Sequence, residues 1–140
     1  MKKLKKITIV VPVYDEESNI EYFHKSLKKV ISNDKKYEIL FINDGSTDNT
    51  LNEIKKIRKK DKRIKFINFS RNFGKESALT AGIEFANGDC LIPIDVDLQD
   101  PPHLIIKLIE NLKKGYDVVL AKRINRRSAS LLTRVTAYIV

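Results

Sequence analysis

The chain has 140 residues, 42% apolar and 32% charged, which suits one folded core and is too apolar for a disordered segment. It has no run of about eighteen apolar residues to span a bilayer, and its single cysteine, Cys90, has no partner for an internal disulfide, which fits a reducing compartment. The net charge of +9 invites a polyanion, but the lysines are scattered over several segments and not interleaved with aromatic rings, so nucleic acid is not an expected partner.

Met1–Lys6 is basic, and Ile7–Val13 then gives a short apolar strand that runs into Asp15-Glu16-Glu17 with no cleavage site, so it is not a leader peptide. Ile20, Phe23, Leu27, Val30 and Ile31 recur on one face of a helix. Glu38–Asn43 is the second strand, followed by a helix with Leu51, Ile54 and Ile57 inward and Ser46 or Thr47 as its cap. Ile64–Phe69 is the third strand, and Ala78, Leu79, Gly82, Ile83 and Ala86 form the next helical stripe. Asp89–Ile94 is the fourth strand. Asp100 as N-cap and Pro101 as first helical residue then open a helix with Leu104, Ile105, Leu108, Ile109 and Leu112 inward, and Gly115 ends it. Asp117–Ala121 is a fifth strand, and Leu131, Leu132, Val135 and Ile139 mark a further helix from Ser128 that stops mid-pattern at Val140.

Strands apolar on both sides, alternating with amphipathic helices, predict an α/β fold: a mostly parallel sheet with helices on both faces. With no linker or repeat, residues 1–140 are expected to form a single domain, incomplete at its C-terminus. Ligands of such sheets bind beyond the carboxyl ends of the strands, where the strand order reverses. Pro12 and Pro93 fall near strand exits, where a missing N–H is tolerated.

Each strand exit carries polar chemistry. After the fourth strand, continued strand-like alternation would turn Asp95, Asp97 and Gln99 the same way, giving a hard oxygen set suited to Mg²⁺ or Mn²⁺. After the second, Asp44 could accept a hydrogen bond from a base or ribose, or could simply form an Asp-Gly turn, with Ser46 and Thr47 opening a helix whose amides face the strand ends. After the third, Arg71 and Lys75 bring cations that could meet a diphosphate or stay solvated. No Walker loop or Gly-x-Gly-x-x-Gly is present. After the fifth, Lys122, Arg123, Arg126 and Arg127 precede the apolar stripe, which suits either an anionic membrane surface or a solvated turn and an ordinary core helix.

Five blocks in order closely resemble glycosyltransferase family 2, of GT-A fold: Val-Pro-Val-Tyr-Asp-Glu-Glu-Ser-Asn-Ile (11–20), Asn-Asp-Gly-Ser-Thr-Asp (43–48), Ser-Arg-Asn-Phe-Gly-Lys-Glu (70–76), Asp-Val-Asp-Leu-Gln-Asp-Pro-Pro (95–102) and Gly-Tyr-Asp-Val-Val (115–119). The fourth block looks most like the polyprenyl-phosphate subgroup, the dolichol-phosphate mannose synthases and bactoprenol glucosyltransferases. The resemblance implies transfer of a sugar, with inversion, from a UDP- or GDP-linked donor to a polyprenyl phosphate or a saccharide acceptor. It implies that Pro12, Tyr14 and Glu16 line the nucleotide pocket and that Asp44 contacts the base. It further implies that Asp95 would lie by ribose and metal, that Asp97 with Gln99 would hold Mg²⁺ or Mn²⁺, and that Arg71 and Lys75 would be secondary nucleotide contacts. Val96 stands where alanine is commoner, with its side chain expected to face away, and His103 is expected in solvent. The resemblance places the acceptor site and catalytic base beyond Val140, and the whole enzyme in the cytoplasm at the inner face of a membrane. The fragment is expected to bind nucleotide and metal without turnover, and an apolar face left uncovered would favour a homodimer.

Three other functions compete. A sugar nucleotidyltransferase would need a glycine-rich basic loop soon after the first strand, where this chain is acidic. A non-catalytic nucleotide-binding module shares every motif, and a basic nucleic-acid binder would show strongly salt-dependent retention.

Overall fold

A computed structural model of the chain describes residues 1–122 and 135–137. These fall into two compact units, Lys5–Pro102 and Met1–Leu4 with the chain from His103 onward.

The first unit is built on four parallel strands, β1 (Ile7–Val13), β2 (Tyr37–Asn43), β3 (Ile64–Asn68) and β4 (Cys90–Pro93), in the order β3-β2-β1-β4. β-Branched and aromatic residues dominate these runs, and every residue of β2 is buried, as expected of a strand covered on both faces. The chain lays down β1, β2 and β3 in one direction and then crosses back to place β4 on the other side of β1. The order therefore reverses between β1 and β4, and a crevice opens at their carboxyl ends.

Side chains alternate across the sheet. Val10, Leu40 and Ile42 form one face and pack on Ala78 of helix α3 (Lys75–Phe85). Gly82 lets α3 approach closely, since a Cβ there would lie 2.3 Å from Val10 Cγ1. On the opposite face, Phe41 meets Phe23 of α1 (Ile20–Ile31) edge to face at 6.0 Å, and α2 (Thr50–Lys60) packs beside α1 and over β2 and β3. Ile83 departs from the predicted stripe and is 64% exposed. The helix meets the sheet along the small residues Ala78 and Gly82, and that narrow contact leaves its flank outside.

The prolines sit where the ladder allows them. Val10 O accepts from Ile94 N on the β4 side of β1. Pro12, two residues on, faces the same side beyond the last paired residue, Pro93, so its missing N–H costs no ladder bond.

A polar group interrupts the far face. His24 occupies the apolar side of α1, and its Nε2 lies 3.0 Å from Asp61 Oδ2 at the end of α2. Arg63 clamps the same carboxylate through Nε at 2.9 Å and Nη2 at 2.7 Å. Hydrogen bonds from Arg63 hold the Asp61 carboxyl well below the usual carboxylate range, outweighing burial, and His24 adds to the effect. A depressed folded pKa means stability that is complete above the unfolded value, about 3.9, and is lost as pH falls below it. Asp61→Asn is expected to cost about 1–3 kcal/mol at pH 7, since it leaves the partly buried Arg63 guanidinium facing a neutral amide. That deficit should narrow below about pH 4. Urea unfolding of both proteins from pH 7 to pH 2 checks this, and a constant deficit would show that Asp61 is not a linked group.

The second unit contains α4 (Leu104–Lys113) and an antiparallel pair, β5 (Val119–Ala121) with β6 (Val135–Ala137). Gly115 follows the helix with φ 111°, as expected of a C-cap glycine. Three expectations are corrected here. The helix begins at Leu104 instead of at Pro101 with Asp100 as cap, and no side chain caps it. β5 is not part of the parallel sheet, but pairs with β6. Val135–Ala137, expected in a helix, is a strand. The rest of that predicted helix, and Arg123, Arg126 and Arg127, lie outside the described residues.

Candidate functional site

The carboxyl ends of β1, β2 and β4 and the start of α3 enclose a cavity of about 300 Å³. Pro12, Val13, Tyr14 and Glu16 line it from β1 and its exit, Asp44 from that of β2, and Asn72, Gly74, Lys75 and Ala78 from the loop into α3. Asp95, Val96 and Asp97 line it from the exit of β4. It lies at the reversal of strand order, where the sheet geometry predicts a ligand.

The loops are held mainly by hydrogen bonds between exits. Asp15 adopts φ 50°, and its carboxylate accepts from Thr47 N at 2.7 Å and Asp48 N at 3.3 Å. Glu17 Oε2 accepts from Asn49 N, and Asp48 Oδ1 from Thr50 N, each at 2.9 Å. The acidic run after β1 thus satisfies amides leading into α2, together with Asp48. This corrects the expected role of Ser46 and Thr47: α2 begins at Thr50, and the amides before it are occupied by carboxylates instead of facing a ligand. Ser46 O–H donates to Asn43 Oδ1 at 2.5 Å, and Thr47 O–H reaches the Asp15 carboxylate.

Asp44 is only 3% exposed, and it is more than an Asp-Gly turn. Oδ1 accepts from Phe73 N at 2.7 Å, and Oδ2 from Gly74 N at 3.0 Å and Asn72 Nδ2 at 3.1 Å. Three donors take three of about four lone-pair sites, leaving one on Oδ1 near the cavity. The clamp fixes the backbone immediately before Lys75. Gly45 makes the approach feasible, because it has φ 68° and a Cβ there would lie 2.1 Å from the Arg71 carbonyl carbon.

The β4 exit does not continue as a strand. Leu98 N reaches back to Asp95 O, and Leu98 takes φ 57°, so residues 95–98 form a turn. Strand-like alternation is therefore absent here, yet Asp95 and Asp97 both line the cavity. Gln99 does not line it, and its backbone N donates to Asp97 Oδ1 at 3.2 Å. Val96 is buried and is among the residues that line the cavity. His103 is exposed as expected.

Of the two expected cations, only Lys75 lines the cavity, and its ammonium donates to Asp95 Oδ1 at 2.7 Å. Arg71 instead lies over the Phe73 ring at 4.0 Å, an attraction of its own kind. Asn72 was given no role by sequence reasoning, although it stands in a quoted block. Its amide is the side-chain part of the Asp44 clamp, a partnership across 28 residues that no local pattern signals.

The lining includes four carboxyl side chains, Glu16, Asp44, Asp95 and Asp97, and one ammonium, Lys75. Only Asp44 is well supplied with N–H donors. A site so acidic repels an anion unless a cation enters with it. Asp95 and Asp97 offer hard oxygens to such an ion. Among the described residues no group of three or more His, Cys, Asp or Glu forms a complete cage. Two carboxylates suit Mg²⁺ or Mn²⁺, which take few protein ligands and complete their shells with water and substrate phosphate. No helix among the described residues is long and apolar enough to cross a membrane.

A sequence model described as Glycosyl transferase family 2 matches residues 8–136. An uncharacterised glycosyltransferase of Synechocystis sp. is 46% identical over 132 residues, covering 94% of this chain and 42% of that protein. The bactoprenol glucosyl transferase of Shigella phage SfV is 48% identical over 134 residues, 94% of this chain and 43% of that protein. The chain therefore spans less than half the length of these curated relatives. Among solved structures, the Pyrobaculum calidifontis mannosyltransferase in complex with GDP-Man and Mn²⁺ superposes with a TM-score of 0.69 at 19% identity, covering 79% of this chain and 32% of that one. S. aureus TarS 1–349 in complex with UDP gives 0.71 at 24% identity, covering 90% and 38%. The fold is that of these GT-A neighbours.

Proposed function

Because the chain belongs to glycosyltransferase family 2, we propose that it forms the donor half-site of a metal-dependent enzyme that moves a sugar from a nucleotide to a polyprenyl phosphate. The observation that carries this reading is the cavity at the β1/β4 reversal, whose four carboxyl side chains and single ammonium disfavour a nucleoside diphosphate that arrives without a divalent cation.

Pro12 and Val13 give the nucleotide an apolar wall, and the half-exposed ring of Tyr14 offers a face to the base. Asp44 uses the remaining lone pair of Oδ1 on a base or ribose donor, while its other three lone pairs hold the loop before Lys75. Asp95 and Asp97 would hold Mg²⁺ or Mn²⁺, which when bound neutralises charge on the departing diphosphate. Lys75 supplies a further positive charge to the phosphates. The acceptor oxygen attacks the anomeric carbon from the face opposite the leaving group, which gives inversion. A phosphate acceptor is already anionic and needs little help from a base.

The polyprenyl acceptor rests on the relative named a bactoprenol glucosyl transferase, and the cytoplasmic face of a membrane is where such an acceptor would meet a nucleotide-sugar. A saccharide acceptor is the second reading, and it requires a base that the residues lining this cavity are not assigned to supply. Incubating the intact protein with radiolabelled UDP-glucose or GDP-mannose and undecaprenyl phosphate should give labelled lipid with Mn²⁺ and none with EDTA. No labelled lipid, but transfer to a saccharide acceptor supplied in a parallel reaction, would replace the acceptor, and transfer undiminished by EDTA would remove the metal.

A further inference from the structure

Lys75 occupies an unfavourable place for a cation. It is the first residue of α3, where the helix dipole and unpaired N–H groups disfavour positive charge. Its backbone is fixed there, because Asp44 holds the N–H groups of Phe73 and Gly74 just before it. From that anchor the side chain reaches the turn after β4, and its ammonium contacts Asp95 Oδ1 at 2.7 Å. The side chains of the pair are 61% and 47% exposed, so the contact is weak and readily replaced. It is also the one cation among the lining residues, set on a carboxylate that can take a metal.

We propose that Lys75 is an exchangeable counter-ion: it holds Asp95 while no divalent cation is bound, and yields that oxygen to the cation while turning to the nucleotide phosphates. The proposal rests on the metal reading of Asp95 and Asp97, and it adds a consequence that reading lacks. Lys75 opposes binding of the cation alone and favours binding of the cation with nucleotide, so the two ligands enter in concert. A lysine that only stabilised the fold would shift both affinities alike or neither.

The test is titration of the intact protein with Mn²⁺, following the paramagnetic resonance of the free ion, without nucleotide and then with UDP or GDP. Lys75→Met keeps the aliphatic stem and removes the charge. It is expected to bind Mn²⁺ alone about fivefold more tightly than wild type, and nucleotide with Mn²⁺ about fivefold more weakly. Lys75→Arg, which keeps the charge, should stay closer to wild type in both. Unchanged or weaker Mn²⁺ binding by Lys75→Met overturns the exchange, as does unchanged nucleotide affinity. Asp97→Ala separates this from failure of the metal site itself. If Asp97→Ala loses Mn²⁺ while Lys75→Met is silent, the metal site stands and the exchange falls. If Asp97→Ala keeps Mn²⁺, both fall.

Discussion

Gly45→Ala is expected to lower the melting temperature by about 10 °C or more, the largest stability effect at the site. Two costs add. The residue has φ 68°, where an L side chain costs about 1–2 kcal/mol. Its new Cβ would also fall 2.1 Å from the Arg71 carbonyl carbon and 2.4 Å from Asn72 N. Those are backbone atoms of the segment that leads directly into the Asp44 clamp, so they cannot swing aside as a side chain would, and overpacking adds about 1–3 kcal/mol. Gly74→Ala is the internal comparison. Gly74 has φ 99°, but nothing lies within 4 Å of its added Cβ, so only the conformational cost applies. Thermal melts of the two variants beside wild type check the account. Equal losses would show that the loops after β2 and β3 are not in close approach.

Asp97→Ala is expected to weaken Mn²⁺-dependent nucleotide binding by about 100-fold or more, with little change in stability. Asp97 is exposed, and it accepts a hydrogen bond from Gln99 N at 3.2 Å. Its removal should therefore move the unfolding free energy by no more than about 0.5 kcal/mol. The combination sets it apart from Gly45→Ala, which acts on the fold first. Gln99→Ala is expected to be milder, because Gln99 does not line the cavity.

What was legible in the sequence divides along a physical line. β1 to β4 were legible because each is a short apolar run bounded by polar or turn residues, and a strand buried on both faces can hardly look otherwise. α1 and α4 showed as stripes because each buries a broad face. Asp95 and Asp97 were located by their place after β4, although the alternation used to align them does not exist. Contacts between distant loops were not legible. Ser46 and Thr47 have the chemistry of caps, but Asp15 and Glu17, some thirty residues earlier, take the amides first. Arg71 and Lys75 look equivalent in sequence, and only the fold puts one over Phe73 and the other on Asp95. A strand's composition does not name its partner either, which is why Val119–Ala121 was assigned to the parallel sheet and is found against Val135–Ala137.

On the proposed reading, the acidic cavity at the β1/β4 reversal accepts a nucleoside diphosphate only together with a divalent cation. Calorimetric titration with UDP and with GDP, each with and without Mn²⁺, tests it most directly. One of the two nucleotides is expected to bind, with Mn²⁺ required, and Asp97→Ala to abolish the heat. Binding of equal strength without Mn²⁺, or no binding of either nucleotide to the intact protein with Mn²⁺ present, would contradict it.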